Sequence, residues 1–426
     1  MRRTLIIAIA IATGLGTPAA NAEEKKTLAE CIAIAVAQHP SLKAADASVQ
    51  AGHERVFEAT TAYLPQLSAT YQATRRQTNP AAFGIPGSST RSNFYQAGAA
   101  LTQILFDWGQ NLDAIRAAQA SEQSLRADRS TQTDAVVLGV KQAYFNVLAT
   151  RRLLGVADET VRQNQKHLEQ AQARFGVGLA AKFDVTQAQV QLAQAELNQV
   201  TARNNVAVAH ETLRNALGLA GPLDFDIVDN LDVHAVQMTE EAALSAAYDK
   251  RPELQSIHAQ QLATTQQIKS FEKTYLPSLQ ANGNYNYLGV DYPLHDTWTA
   301  SGVVTFKFDG GLALTQAAEQ KANLANLKYN EEVERQNIAL EVRQDVLNLQ
   351  QATESIRVSD KGLQLARENL ELAEGRYNTG VGNIIELTDA QASRTTAEAN
   401  YVQALYNYKT ALAALEKATA QSLATD

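Results

Sequence analysis

The stretch Tyr63-Leu64-Pro65-Gln66-Leu67 occurs a second time as Tyr275-Leu276-Pro277-Ser278-Leu279, 212 positions further along the chain. A second stretch, Arg174-Phe175-Gly176-Val177-Gly178, returns as Arg376-Tyr377-Asn378-Thr379-Gly380 at an offset of 202. Between these two landmarks the first copy therefore holds ten residues more than the second. A chain that repeats itself in this way is built from two copies of one structural unit. The pattern of each copy predicts helix, β-hairpin and helix.

The first 22 residues have the pattern of a secretory signal peptide. Met1-Arg2-Arg3 is basic, Leu5 to Ala12 is apolar, and Ala20-Asn21-Ala22 fits a cleavage site of small residues. The apolar run is too short for a membrane-spanning helix. No cysteine follows the cleavage site directly, which argues against a lipid anchor. We therefore expect residues 1–22 to be removed and the mature chain to be exported.

The composition narrows the class of function. The net charge is −8 and no basic run occurs, which argues against nucleic acid as a partner. The seven histidines are scattered and Cys31 is the only cysteine, so no metal-ligand spacing stands out and no internal disulfide can form. No phosphate-binding loop, nucleophile elbow or catalytic carboxylate pair is recognisable. The sequence predicts neither an enzyme nor a cofactor.

Proline is absent from two long segments, 87–221 and 294–426. Because proline breaks helix interiors, long helices are expected there. A glycine-containing turn divides each segment once, so each holds one long helix and one return helix. At 1.5 Å per residue a helix of about 65 residues is on the order of 100 Å long. The predicted bounds are about 110–174 and 184–217 in the first repeat, and about 311–376 and 384–418 in the second.

Apolar residues recur every seven positions in these helices, which predicts left-handed coiled coils. Alanine at every seventh position of the return helices lets two helix backbones approach closely. We predict two antiparallel helical hairpins per chain, although an ordinary structural coiled coil has the same pattern. The heptads of the long helices are Val140, Val147, Leu154, Val161, Leu168 and Phe175, with Val342, Leu349, Ile356, Leu363, Leu370 and Tyr377. Those of the return helices are Ala188, Ala195, Ala202, Ala209 and Ala216, with Ala390, Ala397, Ala404, Ala411 and Ala418.

Two β-hairpins are predicted between the helices, at about 66–106 and 278–308. Their strands alternate apolar and polar residues, most clearly from Trp298 to Phe308. Each is long enough for the about 9–11 residues of a tilted membrane strand. Trp108 and Trp298 fall near opposite strand ends, as in an interfacial aromatic belt. A small soluble β-subdomain with one solvent-exposed face would show the same alternation of apolar and polar residues. The longer first loop is expected to hold the ten extra residues.

Four strands cannot form a closed barrel. Open sheet edges are not tolerated in lipid, because their backbone groups would have no hydrogen-bond partners. If the strands span a membrane, several chains must therefore share one barrel.

With these features the chain resembles the TolC-type outer-membrane efflux protein family over roughly residues 27–415. The resemblance rests on the duplicated Tyr-Leu-Pro stretches, the two glycine-bearing turns, and the motifs Leu105-Phe106-Asp107-Trp108-Gly109, Lys307-Phe308-Asp309-Gly310-Gly311, His39-Pro40 and Arg251-Pro252. It implies a mainly α fold with membrane β, in which the helical hairpins form a periplasmic tunnel. Four strands from each of three chains would make a shared 12-stranded β-barrel. The implied division is repeat 1 at 23–217, an equatorial linker at 218–239 and repeat 2 at 240–426.

The resemblance also implies a function. The chain would be an outer-membrane channel subunit of a tripartite efflux or type I secretion system in a Gram-negative bacterium, and a passive exit duct. The implied partners are two further copies (a homotrimer), outer-membrane lipid, a periplasmic adaptor and an inner-membrane RND or ABC transporter. The alternative that remains open is a soluble periplasmic coiled-coil adaptor or scaffold.

Functional residues are implied at the lower ends of the helices. Asp184, Tyr377, Glu386 and Asp389 match the constriction of the family, and Val177, Gly178, Leu179, Gly380 and Val381 match its adaptor contacts. Asp184 and Glu386 are equivalent in the two repeats, whereas Asp389 corresponds to Gln187. A purely structural explanation is also open: acidic residues are favoured near helix N-termini, and glycines are favoured in turns with positive φ.

One position departs from the pattern of the family. Gly382 stands where the family has an arginine that pairs with the tip tyrosine. An arginine-centred network at that position is therefore not expected, and a hydrogen bond between Tyr377 and Asp184 within the chain is left open.

Overall fold

The computed structural model describes residues 25–222, 224–233 and 238–423. The predicted signal peptide lies outside these residues, as do five positions of the predicted linker 218–239. Within the described residues, no helix is long and apolar enough to cross a membrane.

The first repeat begins with a short strand and two helices, continues through a β-hairpin, and ends with a helical hairpin. Its elements are β1 (Lys25–Lys26), α1 (Leu28–Gln38), α2 (Pro40–Thr60), β2 (Gln66–Thr78), β3 (Thr90–Phe106), α3 (Gln110–Gly176) and α4 (Lys182–Ala216). The long helix α3 has 67 residues, against about 65 expected from the sequence.

The second repeat has the same order of elements. They are β4 (Asp226–Ile227), which falls within the predicted linker 218–239, and then α5 (Glu240–Lys250), α6 (Pro252–Glu272), β5 (Ser278–Gly289), β6 (His295–Thr305), α7 (Leu312–Asn378) and α8 (Ile384–Thr419). The duplication predicted from the sequence is thus a duplication of structure, and the mainly α fold with four strands in one sheet is confirmed.

The sheet is joined to the helices by the same capping arrangement in both repeats. The Tyr63 hydroxyl donates to Asp107 Oδ1 over 2.9 Å, and Asp107 also accepts from the backbone N–H groups of Gly109 and Asn111 at the start of α3. In the second repeat the Tyr275 hydroxyl donates to Asp309 Oδ1 over 2.6 Å, and Asp309 caps α7 in the same way. Because a capping carboxylate satisfies N–H groups that have no partner in the helix, it determines where the long helix begins.

The four long strands form one antiparallel sheet in the order β2-β3-β5-β6. Residues directly opposite each other share a face, and the registers place an apolar face and a polar face on the two sides. The apolar face carries Leu67, Tyr71, Leu101, Tyr285, Tyr287, Trp298 and Val304. The polar face carries Ser68, Thr70, Gln72, Gln96, Asn282, Asn284, Asn286, Thr297, Thr299 and Ser301.

The second hairpin differs from its prediction at one end. The strand β6 ends at Thr305 rather than at Phe308, because Thr305 pairs with Ser278 and the residue before Ser278 is Pro277, which has no N–H to continue the ladder. The expectation for the ten extra residues was also incomplete. The first loop is longer (79–89 against 290–294), but the strands of the first hairpin are longer as well, with 13 and 17 residues against 12 and 11.

The helices form a single layer rather than a closed bundle. In the half of the chain near the sheet, α3 packs against α2 and α6, and α6 packs against α7. In the other half, α4 packs on α3, α3 on α8, and α8 on α7. The outer members of the layer are therefore α2 and α4 on one side and α7 on the other.

The heptad positions make the seams inside each helical hairpin. Leu168, Ala171 and Ala188 form a buried cluster between α3 and α4. A matching cluster between α7 and α8 contains Leu370, Ala373, Tyr377, Ile384, Leu387 and Ala390. The prediction was wrong for Phe175, which is 47% exposed, although its equivalent Tyr377 is 4% exposed and packs in the seam of its own hairpin. Two larger cores lie further up, around Tyr144 in the first repeat and Tyr408 in the second.

We predict that Ala390→Leu destabilises the second hairpin by about 1–3 kcal/mol, because a larger side chain overpacks a close helix seam. Ala390 is 3% exposed, whereas Ala392 in the same helix is exposed. Guanidinium unfolding of the detergent-solubilised protein measures the effect, with Ala392→Leu as the matched control. Equal midpoints for the two variants would contradict the assignment of Ala390 to the seam.

Candidate functional site at the helical tips

The two helical hairpins end in the same turn. In the first, the Gly178 N–H donates to Phe175 O over 3.0 Å and the Leu179 N–H donates to Arg174 O over 2.8 Å. The second repeats both hydrogen bonds at an offset of 202, from Gly380 to Tyr377 and from Val381 to Arg376. Gly178 and Gly380 have φ of 75° and 80°. A left-handed conformation of this kind favours glycine, so the turn accounts for both residues whatever they also contact.

The tips expose apolar side chains. Val177, Leu179 and Val381 are each more than two-thirds exposed and have no core to join. Single exposed apolar residues are ordinary, but three on adjacent turns at one end of a molecule indicate a contact surface. The predicted adaptor contacts, including Gly178 and Gly380, all lie on these turns.

Tyr377 lies at the centre of the tip region. It is 4% exposed, at the end of α7, and its ring packs in the seam with α8. The Arg174 guanidinium, from the other hairpin, lies over this ring at 4.4 Å from its centroid. Arg174 Nη2 also donates to the backbone O of Asn378 over 3.0 Å. One arginine therefore joins the tips of the two hairpins; we call this contact the Arg174 clasp.

The hydrogen bond between Tyr377 and Asp184 is absent. The Tyr377 hydroxyl is buried and has no hydrogen-bond partner within the described residues. Burial is the main reason that its pKa is raised, with opposing contributions from Arg174, which lowers the pKa, and Asp184, which raises it. Asp184 thus lies near enough to influence the phenol electrostatically, while the contact with the ring is made by Arg174.

The backbone around Gly382, the position at which the resemblance to the family leads to the expectation of an arginine, leaves little room for a side chain. A Cβ atom there would lie 3.0 Å from Arg376 Cβ and 3.1 Å from both the Arg376 carbonyl carbon and Tyr377 N. The Gly382 N–H donates to Arg376 O over 2.9 Å, which holds the backbone in this tight position. The tip of this chain is therefore organised from Arg174 instead.

The two equivalent arginines make different contacts. Arg376 pairs with Glu386 inside its own hairpin, at 3.3 Å between Nε and Oε2. Glu386 also lies at the start of α8, where Asn383 caps the helix. Because both partners are about half exposed, this pair contributes little to stability. The repeat is thus symmetric in backbone and asymmetric in side-chain contacts.

Asp184 and Asp389 present carboxylates near the tips. Asp184 lies in the first turn of α4 and is half-buried, and Asp389 lies one turn beyond Glu386 and is exposed. Within the described residues, no cation lies within salt-bridge distance of either carboxylate. Asp389 is therefore unpaired within the described residues, whereas Glu386 is paired with Arg376.

The seam between the two hairpins is apolar in its upper part, where Leu405 of α8 joins the core around Tyr144, but includes polar groups nearer the tips. The Thr160 and Thr395 hydroxyls bond across it at 3.2 Å. Nearer the tips on the same helices, His167 and Gln391 are more than nine-tenths buried, and their side-chain nitrogen and oxygen atoms have no hydrogen-bond partners within the described residues. Burial lowers the pKa of His167. A seam that buries unpaired polar groups is weaker than an apolar one, so the hairpins can separate at lower cost here than within themselves.

The two tryptophans lie at different levels of the sheet. Trp108 follows β3 at the junction with α3, and its indole N–H donates to Pro277 O over 2.9 Å. Trp298 lies on the apolar face of β6, opposite Tyr285, and is largely exposed. Their roles as membrane-interface aromatics remain predictions.

Sequence reasoning missed Arg174 as a functional residue. The motif that contains Arg174 was used only to locate the turn. The repeat did carry a signal, because the equivalent residues Arg174 and Arg376 are followed by different aromatic residues, Phe175 and Tyr377. Only the packing of α3 against α8 places Arg174 over a ring from the other hairpin.

A layer of long helical hairpins, charged at the tips and joined at the other end to an amphipathic sheet, defines the class of outer-membrane export channel subunits. The chain belongs to the outer membrane efflux protein family, whose sequence model matches residues 31–219 and 243–421. The predicted family, its efflux function and its location in the outer membrane are thereby confirmed, and the alternative of a soluble adaptor or scaffold is wrong.

Individual relatives agree with this assignment. The chain is 26% identical to outer membrane protein TolC of Escherichia coli over 394 residues, which cover 87% of this chain and 77% of the relative. It is 25% identical to TolC of Vibrio cholerae over 421 residues, which cover 96% and 93% of the two chains. The fold matches the crystal structure of the CmeC outer membrane channel of Campylobacter jejuni with a TM-score of 0.82 at 18% identity, covering 99% of this chain and 94% of that one.

We predict that Arg174→Gln loosens the tips. Losing a cation–π contact of about 0.5–1 kcal/mol and a charged hydrogen bond of about 1.5 kcal/mol would destabilise the closed arrangement by about 2 kcal/mol. That is roughly a thirtyfold change in the ratio of open to closed forms. Single-channel conductance in planar bilayers measures it. Arg376→Gln is the matched control, because its partner lies in the same hairpin, and an equal rise in both variants would contradict the clasp.

Proposed function

We propose that three copies of this chain assemble head to tail into a passive exit duct of a tripartite efflux or type I secretion system. In this proposal the sheets close one barrel in the outer membrane and the helices close one tunnel below it. A periplasmic adaptor contacts the helical tips, and an inner-membrane RND or ABC transporter delivers the solute. The observation that carries the proposal is that the sheet and the helical layer are both open, and open at corresponding edges.

The open edges of the helical layer carry apolar stripes. On α4 the stripe consists of residues that are more than half exposed and spaced by seven, with one step of eleven: Phe183, Val190, Leu197 and Val208. The stripe on α7 has the same spacing, also with one step of eleven: Val333, Leu340, Leu347, Val358, Leu365 and Leu372. Heptad stripes of this kind are the contact surfaces of coiled coils, and neither has a partner of matching length within the described part of the chain.

The internal repeat supports pairing of these two edges with each other. Because α7 corresponds to α3 and α8 corresponds to α4, the contact of α3 with α8 within a chain has a counterpart between α7 and α4. Those two helices lie on opposite sides of the layer, so the counterpart requires a second copy. A head-to-tail contact of this kind closes into a ring when the rotation between copies allows it.

The sheet edges lead to the same arrangement. The strand β2 runs toward the hairpin loop and β6 runs away from it, so β2 of one copy can pair with β6 of the next in an antiparallel ladder. Three copies, the number implied by the resemblance to the family, would supply 12 strands. The apolar face would then contact lipid. The polar face, lined by amides and hydroxyls in its middle, would line the lumen.

The tips supply the opening step in this proposal. The polar part of the seam between the hairpins and the Arg174 clasp together make the contact that must break when the tips separate. Asp184, Glu386 and Asp389 would then line the mouth, and the exposed Val177, Leu179 and Val381 would be available to the adaptor.

Assembly is tested by Leu365→Glu. We expect this variant to lose the oligomer, because a carboxylate buried in an apolar seam is costly to desolvate. Size-exclusion chromatography with light scattering in detergent gives the mass. Gln172→Glu introduces the same charge at an exposed position of α3, inside the layer rather than at its edge, and should leave the oligomer intact. A monomeric wild-type protein would overturn the proposed function itself.

Selectivity at the mouth is tested by Asp389→Asn. We expect the preference for cations over anions in planar bilayers to fall, because the variant removes an uncompensated charge from each chain. Glu386→Gln should change reversal potentials less, because Arg376 already compensates Glu386 in part. Unchanged selectivity in Asp389→Asn would remove this residue from the pore lining.

A further inference from the structure

Two arginines share one face at the loop end of the first hairpin. Arg75 pairs with Asn93 across the β2–β3 ladder, and Gln77 pairs with Arg91. Residues opposite each other, and residues two apart in a strand, lie on the same face, so Arg75 and Arg91 are diagonal neighbours about 7–8 Å apart. Arg76, between Arg75 and Gln77, lies on the other face.

The face that Arg75 and Arg91 share is the apolar one. Tyr71 precedes Arg75 by four residues on this face, and Tyr95 on β3 lies opposite Ala73, at a level between the two. The loop of the second hairpin reaches over to them: the Tyr292 hydroxyl is 3.3 Å from that of Tyr71, and the rings of Tyr292 and Tyr95 are 5.2 Å apart. Three tyrosines thus form a cluster at the upper limit of the apolar face. Tyrosine is enriched at the level where hydrocarbon gives way to headgroups.

The arginines lie just beyond this level. Four residues of strand place the Arg75 backbone about 13 Å further from the helices than Tyr71, before strand tilt is counted. In a membrane with its hydrocarbon limit at the tyrosines, that height is the headgroup layer, where lipid phosphates are found.

Neither arginine has an acidic partner in the part of the chain that the structure describes. Within the described residues, no carboxylate lies within salt-bridge distance of Arg75 or Arg91, and both are exposed. Arg91 Nε donates to Oε1 of Gln77, the residue directly opposite, over 3.0 Å, which directs the Arg91 side chain across the ladder toward β2. The acid on the same face, Asp296, pairs with Tyr287 at the level of Tyr71, and within one chain its strand β6 lies three ladders away from β2.

We propose that Arg75 and Arg91 bind a phosphate group of lipid A, the phosphorylated glycolipid of the outer leaflet. The inference rests on the proposed function, because it requires the apolar face to contact the outer membrane. Two guanidinium groups at diagonal positions can approach one phosphate from two sides, and arginine matches phosphate oxygens with paired N–H donors. The second hairpin has Tyr287 at the position equivalent to Arg75, so each chain carries one such site.

The test uses the full-length protein in detergent, with lipid A carrying both phosphates as the probe and native mass spectrometry as the readout. We expect wild type and Arg76→Gln to bind lipid A alike, because Arg76 faces the other side of the sheet. We expect Arg75→Gln/Arg91→Gln to bind at least about tenfold more weakly, because charged hydrogen bonds to the phosphate are lost. Dephosphorylated lipid A should bind all three proteins as weakly as the double variant binds the probe.

Several results would overturn the inference. Equal binding of lipid A by wild type and by the double variant would do so, as would an equal loss in Arg76→Gln. If phosphatidylglycerol bound wild type as tightly as lipid A does, the assignment to lipid A would be wrong. The same spectra give the oligomeric state. A monomeric wild type therefore contradicts the proposed function, whereas an intact oligomer with unselective binding contradicts only the lipid site.

Discussion

The structure depends on one constraint: a single chain leaves both of its layers unclosed. The sheet ends in β2 and β6 with unpaired backbone groups, and the helical layer ends in apolar stripes on α4 and α7. The unpaired backbone groups of the sheet edges would be unstable in hydrocarbon, and the apolar stripes of the helical layer would be unstable in water. Because the same sides of the chain are open in the sheet and in the helical layer, a single relation between copies would close both layers in the proposed assembly.

The internal repeat gives the two halves of the chain the same backbone plan. Its departures from symmetry give the two helical tips different side-chain contacts. In both repeats a tyrosine hydroxyl donates to the aspartate that caps the long helix, and this hydrogen bond helps to hold the capping carboxylate in place. At the tips the backbone turns are the same, but Arg174 crosses to the other hairpin while Arg376 stays in its own. If the two tips move apart, the contact of Arg174 with the other hairpin breaks, whereas the pair of Arg376 with Glu386 stays intact because it lies within one hairpin.

Much of the fold could be predicted because its signals are local and repeated. Missing prolines and heptads indicate the long helices, and alternation indicates the strands. Other features depend on neighbours that are distant in sequence. The end of β6 depends on Pro277, which precedes the facing strand β5, and the partner of the Tyr377 ring depends on how α3 packs against α8. The acids at the tips could be located on their helices, but Asp389 and Glu386 are distinguished only by the position of Arg376.

The sequence by itself determined the elements, their order and their duplication, because proline, glycine and apolar periodicity act on the backbone within a few turns. It also determined that four strands are too few to close a barrel. Only the tertiary structure decided which edges remain open, which arginine joins the hairpins, and which face of the sheet carries Arg75 and Arg91. The arginine between the hairpins depends on packing between segments 204 residues apart in sequence. The face that carries Arg75 and Arg91 depends on the register of β2 with β3, because a one-residue shift would reverse the faces of a strand.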